Sequence, residues 1–462
     1  MKKGRRYSRE EIEVIAKSAV GMTFRELKDK ELVTVSEKSL KKGGLGQLVE
    51  MALYGIQTNS DSEPDFMPAG VELKVTPYKK NNNGSLSAKE RLVLNIIDYN
   101  TEFANEFRSS HFWFKNNKIQ LIWYLNDNNK DKLDYVITHE EFLELALSED
   151  IKQIENDWNT IINKIKDGKA HEISEADTMY LGACTKGANK ESKREQPFSN
   201  IKAMQRAFCF KTSYMTGLVR KYIGNYEGVE KILKDSNSSF DNFVNNVINK
   251  YKGKTQSVLM QELSIDSKAK NIFSMIISKM FNVKSKLRDT DEFIKAKIIP
   301  KTIRVEDNGR IIESMSFPYF KFNDVANIDF EDSDLKEELE TTKYMFFIFK
   351  HIDSEYVFKG IKLWNMPELI IESKVKDMYE KTQKIIRDGN IVNHIDERGR
   401  RITNFPGMSD NGVCHVRPHG RDSYDTIPLP VADKVTGANE FTKQCFWINN
   451  NYLKEVIKDI ID

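Results

Sequence analysis

Cysteine is scarce in this chain: four residues in 462, at positions 184, 209, 414 and 445, with no CxxC pair among them. Such spacing argues against a zinc ribbon or a disulfide framework and fits a reducing compartment. Long apolar runs are missing as well. Stretches such as "NIFSMIISKMF" fall well short of the roughly 20 residues that span a bilayer. The start, "MKKGRRYSREE", is charged and no apolar run follows it, so it does not read as a secretory signal. Nor is there an excess of charge of one sign. A net charge of +2 offers nucleic acid no global basic field and leaves any such contact to local patches. The expectation is a soluble, cytoplasmic protein without membrane contact, long enough for two or three domains with cores of their own.

What is present is an alternation of helical and strand-like segments, which predicts an α/β or α+β protein. Ser8 and Glu11 form a capping-box pattern before "EIEVIAKSAV", where Ile12, Ile15, Ala16 and Ala19 share a helical face. The turn "KKGGLG" opens a second helix over 45–54, with Leu45, Leu48, Val49 and Ala52 as its stripe and Gly55 as its stop. Strands are expected at 70–76, 91–98 and 118–124. The polar stretch "GNYEGVEKILKDSNSS" over 224–239 has the texture of a domain junction.

Two segments echo across that junction. "YLGACTKGANKES" followed by "QRAFCFKTSYMTGLVRKYI" is matched by "VCHVRPHGRDSYD" followed by "TKQCFWINNNYLKEVIKDI". The match sets Lys186-Gly187 against His419-Gly420, Phe208 against Phe446 and Tyr214 against Tyr452. With a second pair of matching segments in the same order, the pattern predicts a duplicated domain.

The stretch "EPDFMPAGVELKVTP" over 63–77 carries the chemistry. Alternation sends Val71, Leu73 and Val75 to one face and Gly70, Glu72 and Lys74 to the other. Asp65, after Pro64 and a short bend, can reach the same point. Carboxylates with a backbone carbonyl form a hard oxygen site suited to Mg2+, and a neighbouring lysine can orient a water or stabilise charge at a phosphorus centre. The bland reading is a solvated strand face with a weak ion pair. Glu-x-Lys also occurs at 26–28, 191–193 and 372–374, but there without an aspartate at the same short spacing. Glu50 projects from "GGLGQLVEMALYG" off the apolar stripe, either toward the same site or simply into solvent.

"PD" at 64–65 and "ELK" at 72–74 match the PD-(D/E)xK nuclease signature. The longer string from "GGLGQLVE" through "PDFMPAGVELKVTP" resembles MutH. With "KERLVLNIIDY", "LGACTKGAN", "CHVRPH" and "FWINN", the whole chain resembles the MutH / Sau-three-A family of GATC-specific type II restriction endonucleases. That resemblance implies two tandem MutH-like domains, each a mixed central sheet flanked by helices. The catalytic domain would cover 1–235, and 236–462 would bind DNA as an effector without the metal-ligand carboxylate. It implies Asp65, Glu72 and Lys74 as the catalytic core, Glu50 as an extra metal-positioning carboxylate, and a further lysine, Lys118 ahead of Lys115. The reading loop would be 184–195. There Lys186 and Gly187 suit close approach to guanine, while Lys190, Lys193 and Arg194 suit phosphates; Tyr214 would contact DNA or pack.

In the second half the echo sets Glu292 at Asp65's place, Ile299 at Glu72's and Lys301 at Lys74's, and an isoleucine cannot ligate a metal. Arg417, His419 and Arg421 are the expected DNA contacts there. His415 and His419 read as DNA contacts or ordinary polar residues rather than a metal pair. The implied activity is Mg2+-dependent cleavage of both strands of GATC duplexes 5′ of the G, leaving a 5′-phosphate. A second DNA site, dimerisation on DNA and a companion methyltransferase belong to the same expectation. The alternatives are a MutH-type nickase and a non-catalytic, two-headed DNA-binding protein.

Overall fold

A computed structural model describes residues 7–30, 44–56, 62–81, 84–127, 129–187, 192–224, 228–234, 239–266, 269 and 271–462. The fold is mixed α/β and divides into two compact units. The first comprises Met1–Phe243 with Arg288–Lys297, and the second Val244–Leu287 with Ile298–Asp462.

In the first unit the capping box at Ser8 forms as expected: Glu11 N donates to Ser8 Oγ at 3.3 Å and Ser8 N donates to Glu11 Oε2 at 2.8 Å. It starts the helix Arg9–Ser18, whose Ile12 and Ala16 are buried. The helix Gly44–Tyr54 buries Leu45, Leu48, Val49 and Ala52. Both helices cover the Val71 and Leu73 face of the strand Glu72–Lys80, together with Ile122 and Ile137. That strand runs parallel to Lys118–Leu125, which pairs antiparallel with Ile137–Glu144, while Leu86–Ala88 closes the other edge. A second, antiparallel sheet orders Leu92–Ile96, Arg206–Phe210 and Leu181–Thr185, with the latest strand in the middle.

The second unit repeats this plan. Ile298–Val305 runs parallel to Lys343–Ile352, which pairs antiparallel with Glu355–Trp364. Met315–Phe320, Gln444–Ile448 and Cys414–Pro418 form the antiparallel sheet, again with the latest strand central. The echoed segments fall on equivalent strands, and Phe208 and Phe446 both occupy the middle of the central one. Register agrees with the echo as well. Glu72 lies opposite Ile119 and Lys74 opposite Leu121, the second and fourth residues of the following parallel strand. Ile299 and Lys301 lie opposite Tyr344 and Phe346, the second and fourth residues of theirs.

Glu292 departs from the expectation. It lies in the short helix Asp291–Lys295 of the first unit, and its carboxylate accepts from the Ile232 and Leu233 amides at 3.0 and 2.8 Å. An uncapped pair of backbone donors claims it, so it does not stand in for Asp65. The segment 288–297, which a division between 235 and 236 assigns to the second domain, thus packs within the first unit. Lys295 anchors it. Its side chain is 1% exposed, with Nζ 2.9 Å from Asp150, 2.7 Å from Asp291 and 3.9 Å from Glu149. Burial opposes the ammonium charge, but Asp150 and Asp291 outweigh burial and hold its pKa above the ordinary lysine value. The carboxylates of Glu149, Asp150 and Asp291 lie within 4.8 Å of one another. They already enclose this cation, so they form a structural ion network.

All four cysteines are buried free thiols. Among the described residues no helix is long and apolar enough to cross a membrane. Lys295→Met removes the charge that Asp150 and Asp291 share. It is expected to cost about 3–5 kcal/mol, the usual penalty for breaking a buried ion pair on one side. Urea denaturation followed by circular dichroism measures this, and an unchanged midpoint would count against the anchoring role.

Candidate active site

Glu72 comes seven positions after Asp65, and a tight hairpin closes that gap. Phe66 N donates to Val71 O at 2.9 Å and Val71 N returns to Phe66 O at 3.4 Å. The turn between them ends on Gly70 at φ +63°, a conformation that favours glycine. The Phe66 ring is buried edge-on against Tyr54 and Tyr7, at centroid distances of 4.8 and 5.7 Å. This aromatic anchor sets where the loop ends. Asp65 Oδ2 accordingly accepts from Leu73 N at 2.9 Å, and Asp65 N donates to Glu72 Oε2 at 3.3 Å.

The opposite face of the strand is not a solvated one. Glu72 is 2% exposed, which removes the surface ion-pair reading. Lys74 Nζ reaches Glu72 Oε1 at 2.8 Å, and Lys115 Nζ stands 3.8 Å from the same oxygen. Burial pushes the Glu72 carboxyl up, against the pull of Lys74 and Lys115. Glu50, from the helix Gly44–Tyr54, feels the same cluster. Burial first, then Asp65 and Glu72, push its carboxyl up to about 7, while Lys74 opposes them. A carboxyl pushed up by burial and by neighbouring carboxylates marks a place where added positive charge is stabilised. The hard oxygen donors of these carboxylates fit a divalent cation such as Mg2+.

The lysine that meets Glu72 is Lys115, not the expected Lys118. Lys118 opens its strand opposite Glu144. Lys115 rides on the short helix His111–Asn116, whose start is capped by Ser110 Oγ accepting from Trp113 N. Position in sequence favours Lys118 because it begins a strand. Only the turn of the preceding helix shows which ammonium points inward.

The residues expected to read DNA divide into exposed and buried. Lys186 and Gly187 are exposed just beyond the strand Leu181–Thr185, with Lys186 N bonded to Gln205 O at 2.7 Å. Lys193 and Arg194 are exposed on the hairpin of Lys193–Gln196 with Ser199–Met204, and Arg194 Nε donates to Gln205 Oε1 at 3.2 Å. Lys190 lies outside the described residues. Tyr214 is a correction: it is fully buried, with its ring 5.1 Å from Tyr180 and 5.0 Å from Phe210, and cannot touch DNA. Its place in the helix Thr212–Tyr222 turns it into the core.

In the second unit Arg417 and His419 flank the Trp447 ring at 4.9 and 5.6 Å and are exposed, as is Arg421. His415 is a further correction. It is buried, its Nδ1 is 2.5 Å from Asn449 Oδ1, and burial holds its pKa below the ordinary histidine value. It therefore contributes to the interior and not to a DNA-facing surface. Sequence reading also passed over His111 and Asn116, the two ends of the helix of Lys115, and Asn95, which bonds to Asn116; none carries a motif.

Known proteins resemble this chain in sequence. A family model described as DNA mismatch repair enzyme MutH fits residues 54–157, the span that holds Asp65, Glu72, Lys74 and Lys115. The DNA mismatch repair protein MutH of Vibrio campbellii is 25% identical over 215 residues, covering 46% of this chain and 92% of that protein. MutH of Actinobacillus pleuropneumoniae is 28% identical over 153 residues, or 33% of this chain and 64% of its own length. The type II restriction enzyme Sau3AI of Staphylococcus aureus is 37% identical over 482 residues, 96% of this chain and 97% of that enzyme. A likeness running through both units, with a MutH-type nuclease region in the first, means that this chain belongs to the MutH-like family of type II restriction endonucleases.

Proposed function

We propose that the enzyme cuts both strands of duplex DNA at GATC, 5′ of the G, in a Mg2+-dependent reaction that leaves a 5′-phosphate. The observation that carries this reading is the buried Glu72 carboxylate, set between Lys74 at 2.8 Å and Lys115 at 3.8 Å and bonded to the Asp65 backbone amide. Asp65, Glu72 and Glu50 are the residues that would hold the metal, which when bound lowers the pKa of water and polarises the phosphoryl oxygens. The protein's own part is positional and electrostatic. Asp65, tied to Leu73 N, presents its free oxygen at a fixed point. Lys74 orients the attacking water and balances charge as it gathers on the phosphoryl oxygens. Lys115, which approaches the same Glu72 oxygen, supports the same charge. The water oxygen forms the new bond to phosphorus, the bond to the 3′ oxygen breaks, and that oxygen takes up a proton.

In this reading Lys186, Gly187, Lys193 and Arg194 meet DNA in the first unit, with Lys190 in the same loop. The lysine is suited to guanine O6 and N7 and the strand cations to phosphates. In the second unit Ile299 stands where Glu72 does, so a carboxylate ligand is missing. Arg417, His419 and Arg421 would there hold a second copy of the site as an effector. A companion methyltransferase would protect the host sequence, and pairing of two chains on DNA would supply the two cuts of a palindrome.

Supercoiled plasmids carrying zero, one or several GATC sites, with Mg2+ or EDTA, test the whole proposal. Linear product confined to site-bearing plasmid with Mg2+ is expected, and faster cutting when several sites are present. Nicked circles alone would point to a MutH-type nickase, and intact plasmid with DNA still bound would point to a tether. Lys74→Ala is expected to keep DNA binding and lose cleavage. Lys115→Ala is expected to slow cleavage by about 10²–10³-fold, the usual loss of one charge-stabilising donor. Lys118→Ala should leave the rate near that of the unmodified protein. The reverse ranking would restore Lys118 as the assisting lysine.

A further inference from the structure

Beside the carboxylate cluster, one polar chain joins three parts of the first unit. Asn116 Nδ2 donates to Phe112 O at 2.9 Å and to Asn95 Oδ1 at 2.8 Å. Asn95 Nδ2 lies 3.2 Å from His111 Nδ1, and His111 Nε2 lies 2.8 Å from Ser62 O. Asn95 and Asn116 are 6% and 0% exposed, so water does not compete for these groups.

The directions of the bonds follow from the two ends of the chain. A backbone carbonyl only accepts, so Asn116 must turn its amide nitrogen toward Phe112 O. Asn95 then has to present its oxygen to Asn116, which leaves its own amide hydrogens for the His111 ring. His111 Nδ1 is therefore an acceptor. At the other end Ser62 O again only accepts, so the ring proton sits on Nε2. A neutral imidazole with its hydrogen on Nε2 is the arrangement that gives each of these bonds one donor and one acceptor, with Asn116 Oδ1 left without a partner.

This chain lies where the site needs support. His111–Asn116 is a six-residue helix, too short to hold its place by helical hydrogen bonding alone. Its first turn is tied down by Glu102 Oε1, which accepts from Phe112 N at 3.2 Å. Ser62 is three residues before Asp65 and lies outside any helix or strand. Resting on the reading of Asp65 and Lys115 as parts of the active centre, we propose that His111 is a positioning residue: its neutral ring clamps the backbone at Ser62 to the helix that delivers Lys115. It thereby sets the spacing between a carboxylate and an ammonium that arrive from separate parts of the chain.

The experiment uses the full chain and a GATC duplex. Cleavage by the unmodified protein and none by Lys74→Ala first establishes the active centre; cleavage surviving in Lys74→Ala would overturn that reading itself. His111→Phe keeps a ring of similar size and loses both bonds. Its rate constant at saturating DNA is expected to fall about 10²-fold, the scale of a small misplacement of reacting groups. DNA affinity measured in EDTA and the melting temperature should stay near those of the unmodified protein. His111→Gln retains a donor for Ser62 and an acceptor for Asn95, and should recover most of the rate. In a Lys115→Ala background, His111→Phe should cost little more, because both changes act on one interaction. Full activity of His111→Phe would overturn the proposal. So would a rate that falls only in step with melting and affinity, or a full multiplicative loss on top of Lys115→Ala.

Discussion

A carboxylate held out of water beside two ammonium groups is the constraint that organises the first unit. Burying Glu72 alone would be costly, and a neutral carboxyl would be the result. Lys74 from the same strand and Lys115 from a later helix offset that cost, and Asp65 and Glu50 bring further negative charge to the same place. The outcome is a pocket whose own charges are not fully compensated, which is the electrostatic condition for holding a divalent cation near a phosphate. Much of the local architecture serves that condition. The Phe66–Val71 hairpin brings Asp65 back to Glu72, and the aromatic packing of Phe66 on Tyr54 and Tyr7 fixes the hairpin.

The second unit shows what the same scaffold becomes without that constraint. Strand order and sense recur, and the register sets Ile299 and Lys301 at the places of Glu72 and Lys74. With an isoleucine at the key position, the region joins the apolar core of its unit, against which Ile299 packs half-buried. A fold is a support for a site and does not by itself carry chemistry. The two halves of this chain are an internal demonstration: the sheet plan recurs, and the carboxylate at Glu72's place does not.

The extent of likeness to relatives follows the same division. MutH proteins match less than half of this chain, with a nuclease family region at 54–157, whereas the staphylococcal restriction enzyme matches it almost end to end. The second unit is thus a property shared with a restriction enzyme. Arg417 and His419 lie against its Trp447 ring and are exposed, as is Arg421.

Local signals were enough for a good part of this. The capping box at Ser8, the stripe of Leu45, Leu48, Val49 and Ala52, and the alternation around Glu72 each depend on residues close in sequence, and each is realised. The Asp65, Glu72 and Lys74 grouping was legible for the same reason, since one hairpin spans it. Contacts between distant segments were not legible. Whether Lys115 or Lys118 faces Glu72 depends on the rotation of a short helix against a sheet. Tyr214 and His415 look like surface groups in a polar context, but the packing of Tyr180 and the partner Asn449 place them inside. Glu292 has the right spacing for a ligand, yet the unpaired amides of Ile232 and Leu233 take its carboxylate. The sequence by itself determined the periodicities and the hairpin-bound carboxylates, because short-range sterics and burial act within a few residues. The tertiary structure alone decided which lysine meets Glu72 and which polar groups lie buried, because long-range packing chooses among side chains that local sequence leaves equivalent.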